Sequence, residues 1–145
     1  MEPTLKNHYY SSELLNRKVF SEDGNVLGVA VDFVVDLEKP LPEVIDIVYR
    51  KKRSSRKFSA KWSDVKDLPP SQIRLKREAN PPVPIQTTTY NDSLFLLKEF
   101  LLDKQIVDVH GAKVERVNDL KFIASDGKLL LVQVDVGLPG LLRRL

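Results

Sequence analysis

The sequence predicts a mainly β protein built as two related halves. Three observations carry this reading. Apolar residues recur with period two in runs rich in β-branched side chains. An Asp-Gly pair, Asp126-Gly127, sits between two such runs as a hairpin signal. A fixed offset of 87 residues lays one part of the chain over another without a gap.

The elements follow in order. Leu27 to Asp36 reads as a long strand, and the prolines of Glu38-Lys39-Pro40-Leu41-Pro42-Glu43 end it, since each removes a ladder donor and fixes φ. Val44 to Tyr49 reads as the returning strand, and Phe58 to Trp62 and Gln72 to Leu75 as shorter ones. Residues 78–92 carry the prolines Pro81, Pro82 and Pro84 and no helical period, which predicts a stiff, extended linker. An apolar stripe of Leu94, Leu97, Leu101 with Phe95 and Leu102 predicts a connecting helix over 93–102, with Asn91, Asp92 or Ser93 as its N-cap. Gln105 to Val109, Val114 to Ala124 and Leu129 to Val136 read as strands, the last two joined at Ser125-Asp126-Gly127-Lys128.

The offset of 87 places Leu14-Leu15 over Leu101-Leu102, Gly24 over Gly111 and Asp32 over Asp119. The paired aspartates predict equivalent structural roles, accepting hydrogen bonds from backbone donors at a bend. The chain divides on this reading into 10–77, a linker over 78–92, and 93–145, the second unit shorter than the first.

The segment Leu-Leu-Asn-Arg-Lys-Val-Phe-Ser-Glu-Asp-Gly-Asn-Val-Leu-Gly at 14–28 resembles the opening of a PRC-barrel domain, and Val31 to Asp36 resembles its second strand. Lys61-Trp62-Ser63-Asp64-Val65 is similar to a further segment of that family, with Lys61 in place of its proline. In the second half, 103–108, 116–120 and 134–145 resemble PRC-barrel regions that precede magnesium-transporter-like intracellular domains and CBS domains. The resemblance implies small, strongly bent β-barrels in tandem. It implies a non-catalytic interaction or regulatory module, at the amino-terminal part of a longer magnesium-transporter-like protein. The alternative it implies is an RNA- or ribosome-associated module of the ribosome-maturation-factor type.

Charge gives the candidate site. The chain has 23 basic and 20 acidic residues, a net charge of +3, yet residues 50–61 hold seven positive charges and no acid. The rest of the chain has 16 basic and 20 acidic side chains, a net of −4. The basic total is therefore one segment, with Ser54-Ser55 at the tip of its loop. Arg50, Lys51, Lys52, Arg53, Arg56 and Lys57 are the expected partner-binding residues, through electrostatic attraction to an anionic surface. The expected partners are a protein or downstream domains, a second copy through an exposed sheet edge, or an anionic lipid surface. Nucleic acid ranks below these, because only Tyr49 and Phe58 flank the charges for base stacking.

Other chemistry has little material. There are no cysteines and two histidines, and no Gly-x-Ser-x-Gly, phosphate-loop or Gly-x-Gly-x-x-Gly motif. Asp103, Asp108, His110, Asp119 and Asp135 could be gathered around magnesium. His110 before Gly111, however, occupies the turn position of Asp23 before Gly24, so no metal site, cofactor or catalytic residue is expected. The amino terminus lacks an apolar signal region, and no run approaches the ~20 apolar residues of a membrane helix. A cytoplasmic location follows, at the inner face of the membrane if the lipid reading holds.

Overall fold

A computed structural model describes residues 7–51, 53–78, 81–85, 94–100, 102, 105–107 and 114–136. Among the described residues, twelve strands make one curled sheet, an open half-barrel wrapped around an apolar interior, with two single-turn helices beside it. The strands are β1 (His8–Tyr10), β2 (Lys18–Phe20), β3 (Val26–Asp36), β4 (Glu43–Arg50), β5 (Lys57–Lys61), β6 (Val65–Asp67) and β7 (Gln72–Leu75). They continue as β8 (Val83–Pro84), β9 (Leu94–Leu96), β10 (Gln105–Val107), β11 (Val114–Ser125) and β12 (Lys128–Val136). The helical turns are α1 (Ser11–Leu14) and α2 (Leu97–Phe100), and a 3-10 turn spans Trp62–Asp64.

The long strands lie where β-branched residues and period two put them. β3 and β4 pair antiparallel from Val29 opposite Arg50 to Asp36 opposite Glu43, and β11 pairs β12 from Val117 opposite Val136 to Ser125 opposite Lys128. The second hairpin turns at Asp126 and Gly127, with φ of 51° and 77°. Two successive positive φ values are what a type I′ turn demands and what Asp-Gly tolerates. Part of the expected linker is extended and adds an edge: Val83 and Pro84 of β8 pair with Ser59 and Phe58 of β5.

The connecting helix expected over 93–102 is replaced by a strand and one helical turn. Leu94, Phe95 and Leu96 pair with Asp36, Val35 and Val34 of β3, and among the described residues of that stretch only Leu97–Phe100 is helical. A short apolar run fits a strand as well as a helix. Here β3 offers an edge beyond its pairing with β2, and covering it decides the outcome. The expected caps Asn91, Asp92 and Ser93 lie outside the described residues.

Pairing crosses between the halves. β1, from the first half, pairs with β11 of the second: His8, Tyr9 and Tyr10 lie opposite Ile123, Phe122 and Lys121. β9, from the second half, pairs with β3 of the first. Each long strand thus carries its own half's short strand on one stretch (β2 on β3, β10 on β11) and the other half's leading strand on the next. The equivalent strands β4 and β12 also pair antiparallel, Val44 opposite Leu129 and Glu43 opposite Leu130.

The interior follows the same plan. One cluster joins Leu14, Val19, Phe33, Ile47, Ile73 and Leu75 of the first half to Leu97, Leu120, Phe122 and Leu129 of the second. Phe33 and Phe122 meet at its centre with ring centroids 6.1 Å apart and planes at 54°, a tilted geometry that suits the ring quadrupoles. Trp62 is buried in this cluster. A second, smaller cluster of Val34, Val48 and Leu96, flanked by Val31, Ile45, Ile85 and Leu94, forms separately from it.

Candidate binding site: a basic hairpin beside a cavity

Strand register sorts the basic segment into two sets. Tyr49 lies opposite Phe58 and Arg50 opposite Lys57. Side chains alternate across a strand, so these two pairs face opposite sides of the sheet. Tyr49 and Phe58 point inward, both buried in the main cluster, and stack with centroids 5.9 Å apart. Burial, chiefly, raises the Tyr49 hydroxyl above its ordinary pKa, with the Glu78 charge adding to it. Arg50 and Lys57 are exposed on the other side, on the same face of the ladder as Val48 and Ser59.

Beyond them the chain turns back tightly. The Lys51 amide donates to Arg56 O (3.3 Å), the Ser54 amide to Lys51 O (3.2 Å), and the Arg56 amide to Ser54 Oγ (3.0 Å). Arg53 takes a positive φ of 59° at the bend, a conformation that costs a side chain other than glycine. Lys51 Nζ and the Arg56 guanidinium sit over the Phe58 ring, 5.1 and 5.6 Å from its centroid, within cation–π range. The predicted six therefore divide. Lys51, Arg53 and Arg56 form an exposed basic tip, held on Phe58 through Lys51 and Arg56; Arg50 and Lys57 lie below it, and Lys52 lies outside the described residues.

Arg50 and Lys57 line a cavity of about 520 Å³. Its apolar walls are Val31, Val48, Ile85, Leu96 and Leu102; Lys98 and Glu99 of α2 complete the rim and Asp32 forms part of the floor. The charge pattern of 50–61 points to Arg50 and Lys57, but nothing in the sequence alone points to Lys98 or to the walls. Those residues meet only because β9 and α2 cross onto β3.

Asp32 holds that crossing in place. Its Oδ1 accepts from the amides of Lys98 (2.7 Å) and Phe33 (2.7 Å), and its Oδ2 from the amide of Glu99 (3.2 Å). It caps α2 from another strand, supplying the acceptors that a helix start lacks. Burial nonetheless dominates and raises its pKa above the ordinary 3.8. Asp119, its counterpart by offset, does the same for α1. Its Oδ1 accepts from Ser11 Oγ (2.5 Å), the Ser12 amide (3.1 Å) and the Leu120 amide (2.9 Å), and its Oδ2 from Ser12 Oγ (2.6 Å). Burial pushes this carboxyl upward too, but the hydrogen bonds from Ser11, Ser12 and Leu120 together outweigh it, and its pKa falls below the ordinary value. Each half thus caps the other's helical turn.

Among the described residues no group of three or more His, Asp or Glu side chains could hold a metal ion. Asp103, Asp108 and His110 lie outside those residues, and Asp119 is engaged with α1. No described helix is long and apolar enough to cross a membrane.

The segment holding both β3, with its Asp32, and the basic hairpin, residues 6–68, matches the model of the PRC-barrel domain. The likeness to that family covers residues 6–68, less than half of the chain. The match runs from β1 to the end of β6 and so contains all six predicted partner-binding residues. No curated protein matches the chain. The PRC-barrel domain is generally a small non-catalytic module, and its Lys61-to-Val65 segment here places Trp62 in the core rather than at a surface.

Proposed function

We propose that the chain is a non-catalytic interaction module that docks an acidic protein surface through the tip of its basic hairpin. The observation that carries this is the tip itself: Lys51, Arg53 and Arg56 are exposed on one tight turn, Lys51 and Arg56 are anchored on Phe58, and no carboxylate is paired to the three among the described residues. Long cationic side chains held over a buried ring lose less freedom on binding than free ones do. The remainder of the protein carries net negative charge, so the tip is a localised patch, suited to steering one acidic partner into register.

On the resemblance of the second half, the module stands amino-terminal to magnesium-transporter-like and CBS domains. A partner surface on such downstream domains, in the cytoplasm close to the inner membrane face, is the setting this reading favours. The two halves are then related barrels that share strands, a rigid mount for the hairpin. Base stacking finds no support at the hairpin, because both flanking aromatics, Tyr49 and Phe58, are buried.

The test is a competition. Fluorescein-labelled polyglutamate is bound to the protein at low salt and displaced with unlabelled polyglutamate, with single-stranded RNA, or with phosphatidylglycerol vesicles. The proposal expects polyglutamate to compete best and its binding to weaken with salt. Stronger displacement by RNA would favour the ribosome-maturation-factor type of reading. Stronger displacement by vesicles would favour a lipid surface.

A further inference from the structure

The cross-strand pair Arg50–Lys57 is an anomaly that points to a ligand. Like charges directly opposite each other on an antiparallel ladder repel. At the far end of the same ladder the opposite arrangement appears, with Asp46 facing Lys61. Arg50 and Lys57 have no such partner: neither they nor Lys98 form an ion pair among the described residues. All three line one cavity, whose remaining lining is five aliphatic side chains together with Asp32 and Glu99.

We infer that this cavity binds an anionic aliphatic amphiphile, its charged group bridging Arg50 and Lys57 and its chain lying along Val31, Val48, Leu96 and Leu102. The volume of about 520 Å³ falls within the ~300–1000 Å³ of small-molecule sites. Mostly apolar walls with a few convergent polar groups are the usual composition of such a site. Arginine can engage a carboxylate or phosphate with two parallel hydrogen bonds, and lysine adds a point charge beside it. The charge of Asp32 on the floor is partly offset by the amides of Phe33, Lys98 and Glu99 that donate to it, and its position places the anionic group toward Arg50 and Lys57. Glu99 at the α2 end of the rim sets the polarity of the ligand, directing its anionic group to the hairpin end. The inference is independent of the docking proposal, which uses the tip cations Lys51, Arg53 and Arg56.

Calorimetric titration with dodecyl phosphate below its micelle concentration tests it. The expected result is one-to-one binding with a negative heat-capacity change, the marker of apolar burial. Inorganic phosphate alone and dodecyltrimethylammonium should not bind measurably, the first lacking the chain and the second carrying the opposite charge. Arg50→Gln with Lys57→Gln should weaken binding about tenfold or more through loss of the charged hydrogen bonds. Both residues are exposed, and removing like charges leaves the fold intact. Ile85→Glu, at the cavity wall, should abolish binding by placing a carboxylate against the chain. Lys51→Gln, Arg53→Gln, Arg56→Gln should keep amphiphile binding while losing polyglutamate. Equal binding of dodecyltrimethylammonium, or unchanged affinity in the Arg50/Lys57 variant, would overturn the inference. So would binding to phosphatidylglycerol vesicles with none to monomeric dodecyl phosphate, which would assign the cations to a membrane surface instead.

Discussion

Replacing Asp119 with alanine should destabilise the whole fold, although its immediate task is to cap a single helical turn. The substitution removes the acceptor of four hydrogen bonds, from Ser11 Oγ, the Ser12 amide, Ser12 Oγ and the Leu120 amide. One of these donors keeps an alternative, because the Leu120 amide also donates to Ser11 Oγ at 3.1 Å. The two Ser12 donors are exposed and can turn to water. The remaining cost is that of a lost cap with a charged acceptor, about 2 kcal/mol. For a domain of this size that lowers the melting temperature by about 6 °C. Because α1 and β1 belong to one half and Asp119 to the other, the loss should appear in a single cooperative transition seen alike by far-ultraviolet circular dichroism and Trp62 fluorescence. The pH dependence sharpens the test. The folded pKa of Asp119 lies below its ordinary 3.8, so its contribution is complete above that value and is lost as pH falls through the folded pKa. The Asp119→Ala penalty should therefore be full at neutral pH and shrink in strong acid. A melting temperature unchanged at neutral pH, or a penalty that grows in acid, would refute the reasoning.

Three further outcomes follow from the same geometry. Asp32→Ala should show the opposite pH trend: burial raises the Asp32 pKa above 3.8, so its contribution is largest below that value and falls as pH rises through the folded pKa, and urea titrations at several pH values would show the variant's penalty shrinking toward neutrality. Gly28→Ala should destabilise by at least about 2 kcal/mol or prevent folding, since a Cβ on β3 would meet the Arg50 carbonyl oxygen and, at 2.9 Å, its carbon; backbone atoms cannot yield as a side chain can, and wild-type stability in the variant would show the strands to be further apart. Phe122→Ala should cost about 3–5 kcal/mol in chemical denaturation and remove the ring contact with Phe33 that ties the halves together; a loss below about 1 kcal/mol would mean that the halves keep separate cores.

Much of this was legible in the residues. The long strands β3, β4, β11 and β12 declare themselves through β-branched alternation, and Asp126-Gly127 fixes the turn between the last two. The offset that aligns Asp32 with Asp119 anticipates two carboxylates accepting backbone hydrogen bonds. It does not reveal that each serves the other half, because a strand's sequence encodes its two faces but not which distant edge it joins. The same limit explains β9. Leu94 to Leu102 has apolar residues at helical spacing, and only the open stretch of β3 beyond β2 turns Leu94–Leu96 into a strand. The basic segment was plain from composition, yet its division needed register. Once Tyr49 faces Phe58, Arg50 must face Lys57, and the charges separate into a tip and a cavity rim. Lys98 carried no signal, since it reaches that rim only through the nonlocal cap on α2.

Electrostatic docking through the hairpin tip is tested most directly by the affinity of labelled polyglutamate for the wild type and for the triple variant Lys51→Gln, Arg53→Gln, Arg56→Gln across a salt series. The wild type should bind at low salt and weaken as salt rises, while the variant, folded to the same melting temperature, should bind weakly at every salt concentration. Equal affinities for the two proteins would contradict the central claim.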